Sequence, residues 1–330
     1  MINEMFNLYG VSGYEKPLCQ YIKERIKPYC SNIWTDSMGN LHAEKNFDEN
    51  KKTIMLGIYM DEPGVIITKI TDDGYLKFET VGRIKEEFLP STKVNINGKT
   101  GAISLKAIHL TTKKEREIPI RAEQLFIDIG ADNKEQAKKL VQVGDYGYFL
   151  SDAVEFGDDF IKGRALGGRI GCLVAMDILK KDYNCNLHIV FAVQREIACR
   201  GMKTALWDKS YDLCIFLEGY KARLWEDGEN LPKSKDGAGL VYKSGDIVFE
   251  KGILERIIDL AKDNSIPVQK ITAEKSGQEI FAEDNGKNNI CVCMGLAVKY
   301  PETITQIANK KDIESLKLLA EKTIREFGEE

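Results

Sequence analysis

The stretch TIMLGIY, from Thr53 to Tyr59, is apolar at nearly every position and has the length of one β-strand. An uninterrupted apolar run of this length is typical of a strand buried on both faces, as in a parallel sheet covered by helices. Two further runs have the same character, LHIVFAV at 187–193 and LCIFL at 213–217. Helical patterns at 168–179 and 201–210 alternate with these runs. The sequence therefore predicts an α/β fold with a mostly parallel central sheet flanked by helices.

Residues 64–163 follow a different pattern. Short strand-like segments are separated there by turn sequences such as Asp72-Asp73-Gly74 and Asn97-Gly98. The predicted strands are 65–70, 75–80, 93–96, 101–105 and 125–129. The α/β pattern resumes after this region. We therefore expect a β-rich module inserted into an α/β domain that is formed by residues 1–63 and 164–330.

The charge and composition of the chain exclude several classes of partner. Its net charge is −4, and Lys and Arg are mixed with Asp and Glu without a basic block, which predicts no nucleic-acid binding. Its longest apolar stretches are strand-sized, far short of the roughly 20 residues of a membrane span. Residues 1–10 lack the charged and apolar regions of a signal peptide. We therefore expect a cytoplasmic protein without membrane contacts.

Acidic residues follow the predicted buried strands. Asp61 and Glu62 come after the first, Glu196 after the second and Glu218 directly after the third. In open α/β sheets, ligand sites form beyond the carboxyl ends of the strands. These carboxylates are therefore candidates for a shared site. The alternative is that each is a solvated loop residue.

Several ordered motifs correspond to one known family. The segments GVSGYE (10–15) and FIDIGADNKEQA (126–137), and those at 165–171, 194–201 and 299–300, are similar to motifs of the M42 metallo-aminopeptidases, which include glutamyl aminopeptidase and FrvX. In that family the last three read ALDDRxG, QEExGxRG and RYxHS. The resemblance implies a zinc-peptidase-like fold with an inserted barrel-like, PDZ-like domain. It also implies a homo-oligomer, from a dimer formed through that domain up to a dodecamer.

The resemblance also implies an altered active site. Family members use two divalent metals, usually zinc or cobalt, and a Glu as general base. The resemblance places Tyr59 at the first His ligand, Gly167 at the bridging Asp and Arg195 at the general base. Asp61 is retained as the carboxylate that orients the first ligand, and Glu196 as the Glu ligand. The catalytic positions are thus occupied by Asp61 and Arg195.

Two more ligand positions are changed. The resemblance places Glu218 at the position of an Asp ligand and Glu302 at the position of the last His ligand. Glu196, Glu218 and Glu302 are therefore the remnants of the family's ligand set. The three histidines of the chain fall in predicted strands or in the β-rich module, away from these positions. We therefore expect no cofactor or, if any, a divalent cation (zinc, cobalt, manganese or magnesium) at reduced occupancy.

These replacements predict an M42 aminopeptidase-like protein without the dinuclear metal centre. Such a protein would be catalytically impaired or inactive, and would bind peptides or act as an assembly subunit. Arg195 would take over the electrostatic role of the metals by bonding to the carboxylates, unless its side chain points to solvent. The alternative is an active metal-dependent aminopeptidase with a carboxylate-rich site, acting on peptides or a small-molecule substrate. Glycoside hydrolysis ranks last, because nothing in the sequence indicates a sugar.

Overall fold

The computed structural model describes residues 2–113, 117–224, 231–245, 247–273 and 289–329. The helices are α1 (Ile2–Asn7), α2 (Lys16–Ile26), α3 (Lys134–Lys138), α4 (Leu166–Leu179), α5 (Arg200–Leu206), α6 (Lys251–Asp263) and α7 (Lys310–Gly328). The strands are β1 (Asn32–Thr35), β2 (Leu41–Lys45), β3 (Thr53–Tyr59), β4 (Gly64–Ile70), β5 (Leu76–Val81), β6 (Lys93–Ile96), β7 (Lys99–Leu105), β8 (Leu125–Asp128), β9 (Tyr146–Phe149), β10 (Val154–Phe156), β11 (Phe160–Gly163), β12 (Asn186–Ala192), β13 (Leu213–Lys221), β14 (Ala238–Ser244), β15 (Ile247–Val248), β16 (Val268–Ala273), β17 (Cys291–Val298) and β18 (Gln306–Asn309).

Nine strands form the central sheet, in the order β1-β2-β12-β3-β13-β17-β14-β15, with β16 paired to β14. The middle strands β12, β3, β13 and β17 are parallel and almost entirely buried, which confirms the α/β class predicted from the apolar runs. The parallel part is narrower than predicted, because β1 and β2 pair antiparallel with their neighbours and β14 pairs antiparallel with β17 and β15. The β1–β2 hairpin is set by Asp36, whose Oδ1 accepts the backbone N–H groups of Met38, Gly39 and Asn40.

The predicted barrel-like module is confirmed as a closed barrel with strand order β4-β5-β8-β7-β6-β9. The barrel has a hydrophobic core of its own, which includes Val65, Phe78, Val94 and Ile127. Strand β9 was absent from the predicted strands, and it closes the barrel by pairing with β4 and β6. Strands β10 and β11 lie outside the barrel, where β11 pairs with β18. These two strands therefore connect the insertion to the C-terminal part of the chain.

Helix α7 covers one face of the central sheet and is the longest helix described, with 19 residues. Its buried face includes Leu316, Leu319 and Ile324, which belong to the main hydrophobic core. The rest of its surface carries Lys, Arg and Glu side chains, so the helix is amphipathic. In the part of the chain that the structure describes, no helix is long and apolar enough to cross a membrane.

Candidate functional site

The ends of three neighbouring strands bring predicted site residues together. Strands β12, β3 and β13 are adjacent and parallel, so their carboxyl ends meet at one edge of the sheet. Asp61 follows β3, Arg195 and Glu196 follow β12, and Glu218 lies within β13. All four line a cleft of about 1180 Å³, which is also lined by the loop that follows β5 in the barrel.

Arg195 lies between the carboxylates of this group. Its Nη1 donates to Glu196 Oε1 at 2.7 Å, and its Nη2 lies 2.7 Å from Glu218 Oε1. Its guanidinium carbon is 5.9 Å from the centre of the Tyr59 ring, and its side chain is 27% exposed. Burial alone would lower the pKa of Arg195, but the carboxyls of Glu218, Glu196 and Asp61 raise it above its ordinary value. The site therefore holds a permanent cation that is bonded to two acidic side chains.

Asp61 is buried beside Glu196. Its Oδ2 accepts the backbone N–H of Glu196 at 3.0 Å, whereas its Oδ1 is buried without a hydrogen-bond partner among the described residues. Burial, followed by the nearby charge of Glu196, raises the pKa of Asp61 to about 7. Asp61 therefore changes its charge near neutral pH while it holds the loop that carries Arg195.

The loop that follows β5 reaches from the barrel onto Glu196. The backbone N–H of Arg83 donates to Glu196 Oε2 at 2.9 Å. Gly82 has a φ of 86°, and a Cβ atom there would lie only 2.7 Å from the Cβ of Glu196. Glycine is therefore required for this close approach. Both oxygens of Glu196 are engaged, one by Arg195 and the other by the barrel loop.

Gly167 and Gly168 form the tightly packed start of helix α4. A Cβ atom at Gly167 would lie 2.8 Å from both the Cα and the N of Gly219 in β13. A Cβ atom at Gly168 would lie 2.8 Å from the carbonyl oxygen of Tyr59. The helix and the two strands thus meet backbone to backbone. An acidic side chain at either position would require the main chain to move.

Glu302 lines the same cleft but has a different partner. Its side chain is 51% exposed, and its Oε2 lies 3.7 Å from Lys85 Nζ. The backbone N–H of Lys85 also donates to the carbonyl oxygen of Glu302 at 3.1 Å. In the described structure Glu302 is therefore paired with the barrel loop rather than with Arg195.

The loop between β12 and α5 has an unusual backbone. Gln194, Ala198 and Cys199 have φ values of 55°, 57° and 53°, in the left-handed region that residues with a Cβ atom disfavour. Glu15, from the loop before α2, accepts the backbone N–H of Gln194 at 3.0 Å. Contacts of this kind hold the loop in the conformation that presents Arg195 and Glu196 to the cleft.

Comparison with known proteins identifies the family. A family model described as M42 glutamyl aminopeptidase matches residues 39–319. The chain belongs to the M42 family. It is 30% identical over 334 residues to a relative from Acetivibrio thermocellus whose name describes it as a candidate aminopeptidase, and the match covers 97% of each chain.

Solved structures show the same fold. An aminopeptidase from the archaeon Desulfurococcus kamchatkensis superimposes with a TM-score of 0.91 at 24% identity, over 99% of this chain and 94% of that one. The TET1 peptidase of Pyrococcus horikoshii gives a TM-score of 0.86 at 23% identity, over 97% and 96% of the two chains. That peptidase is described as assembling into a tetrahedron or a large octahedral shell.

A buried ion cluster next to the cleft was missed by sequence reasoning, which treated Glu62 only as an acidic residue after a strand. Glu62 is 1% exposed, and its two oxygens lie 2.7 Å from Arg164 Nε and 3.0 Å from Arg169 Nη2. Burial would raise the pKa of Glu62, but the two guanidinium groups lower it. Arg164 also donates to the carbonyl oxygen of Phe149 in the barrel. An arginine inside the apolar α4 sequence was the available signal, because a buried cation needs an acidic partner.

The described side chains offer few metal ligands. Among them, no group of three or more His, Cys, Asp or Glu residues is arranged to hold a metal ion. None of the histidines lines the cleft. His42 and His188 are buried in the sheet, where His42 Nδ1 lies 3.0 Å from His188 Nε2 and His188 Nδ1 lies 2.8 Å from the hydroxyl of Tyr211. His109 is an exposed residue of the inserted region.

Proposed function

We propose that this M42 protein keeps a peptide-binding cleft but has exchanged the dinuclear metal centre for a salt-bridged arginine, and so lacks metal-dependent aminopeptidase activity. The observation that carries this proposal is the position of Arg195, 2.7 Å from both Glu196 and Glu218. A guanidinium does not lose its proton in a protein, so it cannot act as a general base. Its charge also repels a divalent cation at the same place.

The other replaced positions support the same conclusion, because the side chains present do not fit two metal ions. A bridging ligand would have to hold metals roughly 3.5–4 Å apart, and Gly167 supplies no donor atom. The packing of Gly167 against Gly219 leaves no space for a side chain that could supply such a donor atom. Tyr59 is buried, and burial raises its pKa well above the ordinary value. Its phenol therefore stays neutral and is a poor replacement for an imidazole ligand.

Loss of metal chemistry does not remove the cleft. Its volume of about 1180 Å³ exceeds the roughly 300–1,000 Å³ of most small-molecule sites. Its lining combines apolar side chains such as Phe88, Leu224 and Ile271 with the charged groups described above. This size and mixture suit a short peptide or a peptide terminus. The protein would then serve as a peptide-binding protein or as a subunit of a larger assembly.

An active hydrolase with a carboxylate-rich metal site is the second candidate. It is favoured by Asp61, whose buried Oδ1 has no hydrogen-bond partner among the described residues. Asp61, Glu196, Glu218 and Glu302 carry oxygen donors of the kind that magnesium and manganese prefer. To bind a cation, however, Glu196 and Glu218 would have to release Arg195.

An activity assay separates the two candidates. Purified protein would be incubated with a panel of aminoacyl-nitroanilides, alone and with added zinc, cobalt or manganese. We expect no turnover above the blank with any of the metals. Robust hydrolysis that EDTA abolishes and a metal restores would overturn the proposal and support the second candidate. The Arg195→Glu variant, assayed in parallel, tests whether removal of the cation alone is enough to allow metal-dependent turnover.

We also propose that residues 64–163 act as a separate domain through which the chain forms homo-oligomers, from a dimer up to a dodecamer. The assembly described for the TET1 peptidase supports this proposal. So do exposed apolar side chains of the inserted region, since Leu110, Ile118 and Val143 are 60%, 49% and 63% exposed. Size-exclusion chromatography with light scattering would test it. A monomer at micromolar concentration would contradict it.

A further inference from the structure

Two cysteines face each other across neighbouring strands of the central sheet. Strands β13 and β17 are parallel, and their register makes the Cα atoms of Cys214 and Cys291 direct partners. Partners in adjacent strands lie roughly 4.8 Å apart and direct their side chains to the same face of the sheet. The Cα atoms of disulfide-bonded cysteines are usually about 4.4–6.8 Å apart. The register therefore places these two side chains within the distance at which a disulfide forms.

The two thiols are reduced and are hydrogen-bonded to each other. Cys214 is the donor, and this bond raises the pKa of Cys214 above its ordinary value. The same bond lowers the pKa of Cys291, against the opposing effect of burial. Cys291 is therefore the sulfur that more readily becomes a thiolate, which is the form of cysteine that reacts with oxidants.

Cys291 is also the more accessible of the two cysteines. It is the first residue of β17 and is 8% exposed, whereas Cys214 is 0% exposed. The preceding residue, Ile290, is 38% exposed, so β17 begins close to the surface. A small oxidant can thus reach Cys291 first, and Cys214 lies behind it in the main hydrophobic core.

We propose that Cys214 and Cys291 form a redox modification site, in which a hydroperoxide converts the two thiols to a reversible disulfide between β13 and β17. This site goes beyond the proposed peptide-binding function and does not depend on it. Further along the same two strands, Glu218 of β13 and Val298 of β17 line the cleft. The disulfide would therefore join two of the strands that form the cleft.

The oxidation takes place in two steps. The Cys291 thiolate attacks one oxygen of hydrogen peroxide, the O–O bond breaks, and hydroxide leaves, so that Cys291 becomes a sulfenic acid. The sulfur of Cys214 then forms the S–S bond, while the S–O bond of the sulfenic acid breaks and the Cys214 proton leaves with that hydroxyl group as water. In total, two thiols and one hydrogen peroxide give one disulfide and two water molecules.

Cys293 provides an internal comparison, because it lies two residues further along β17. Its Cα partner in β13 is Phe216. With a rise of about 3.3 Å per residue, the Cα atom of Cys293 lies roughly 8 Å from that of Cys214. Cysteines whose Cα atoms are more than about 7 Å apart cannot be bridged without movement of the backbone. The register therefore predicts a bond from Cys214 to Cys291 and none to Cys293.

Peptide mapping of the full chain tests the proposal. Reduced protein would be treated with hydrogen peroxide at neutral pH, unfolded in the presence of N-ethylmaleimide and digested with trypsin. We expect the peptides 210–221 and 288–299 to be joined with the loss of two hydrogen atoms, and the intact chain to bind two fewer maleimides than the untreated protein. Dithiothreitol should separate the two peptides by thiol–disulfide exchange.

Two matched variants identify the cysteine in the second peptide, which contains both Cys291 and Cys293. Cys293→Ala should leave the yield of joined peptides about unchanged, whereas Cys291→Ala should reduce it to the level of the untreated protein. Circular dichroism checks that both variants are folded. If Cys291→Ala does not fold, the fragmentation spectrum of the joined wild-type peptides assigns the bond directly.

Three results would overturn the proposal. The first is that the two peptides stay separate after peroxide treatment of the wild type. The second is oxidation of Cys291 to sulfinic acid without a bond to Cys214. The third is a bond from Cys214 to Cys293, which would contradict the register of β13 and β17.

Discussion

The charge balance of the site depends on one side chain, that of Arg195. Replacement by Met would leave Glu196, Glu218 and the partly charged Asp61 close together without a cation. We expect a loss of about 2 kcal/mol in the free energy of unfolding near neutral pH, less than for a fully buried pair because Arg195 is 27% exposed. Urea unfolding monitored by circular dichroism measures this loss.

The pH dependence of the Arg195→Met variant provides a second readout. The difference from the wild type should narrow as the pH falls from about 7 to about 5, because protonation of Asp61, whose pKa is about 7, removes its repulsion by Glu196. Arg121→Met serves as the control for loss of an exposed arginine. Wild-type stability of Arg195→Met at neutral pH would show that the carboxylates do not need the cation.

Gly167 can be tested against a matched glycine. A Cβ atom at Gly167 would lie 2.8 Å from the backbone of Gly219. One at Gly252, in the first turn of α6, would lie 3.5 Å from a side-chain oxygen of Glu250, which is an ordinary contact distance. We expect Gly167→Ala to cost about 1–3 kcal/mol of stability. Gly252→Ala should be neutral or slightly stabilising, since alanine favours helix. Equal unfolding midpoints for the two variants would contradict the packing described for α4.

Some of the site could be predicted from the sequence at the level of residues. Asp61 and Glu196 follow the ends of buried strands, as predicted, whereas Glu218 lies within β13, which continues beyond the predicted end at Leu217. The edge of a parallel sheet brings such positions together. The contact between Arg83 and Glu196 could not be predicted, because the two residues are 113 positions apart and belong to different parts of the molecule. No local pattern indicates which loop of an inserted barrel will fold back over a cleft.

Strands β2 and β12 carry a buried histidine pair that should make stability depend on pH. Burial, followed by His42, lowers the pKa of His188 to about 3. His188 is therefore neutral in the folded protein but binds a proton below about pH 6.5 when unfolded. Stability should fall as the pH decreases from about 6.5 towards 3, by up to about 4 kcal/mol from this residue.

The His188→Gln variant tests this dependence. It loses bonds to His42 and Tyr211, so it should be less stable at pH 7, but its unfolding free energy should vary less between about pH 6 and pH 4. The matched control is His109→Gln, because His109 is exposed. An unchanged pH slope in His188→Gln would show that the buried imidazole does not limit stability in acid.

The apolar runs predicted the parallel strands well, because strands buried on both faces leave an uninterrupted signal. Helix bounds were less accurate: the predicted pattern at 201–210 runs past the end of α5 at Leu206, and α4 begins at Leu166, before the predicted 168–179. Strand β9 was missed because its sequence YGYF interrupts apolar alternation with a glycine. That glycine is required by packing, since a Cβ atom at Gly147 would lie 2.7 Å from Val65. A requirement that comes from tertiary packing leaves no periodic pattern in the sequence.

For the molecule as a whole, Glu62 ties the barrel to the central sheet through Arg164 and Arg169. Glu62→Gln keeps the shape but leaves two buried guanidinium groups without a counter-charge. We expect a loss of about 3 kcal/mol in the free energy of unfolding, measured by urea denaturation. Glu135→Gln is the control, because Glu135 is an exposed residue paired with Lys138. A loss as small as in that control would mean that the cluster does not stabilise the connection.

We propose that an arginine has replaced the two metals of the family. The most direct test is the metal content of the wild-type chain, purified without chelator and without a metal-affinity step and analysed by inductively coupled plasma mass spectrometry. The arrangement around Arg195 predicts a total of zinc, cobalt, manganese and magnesium well below one ion per chain. A content of about two ions per chain would contradict it.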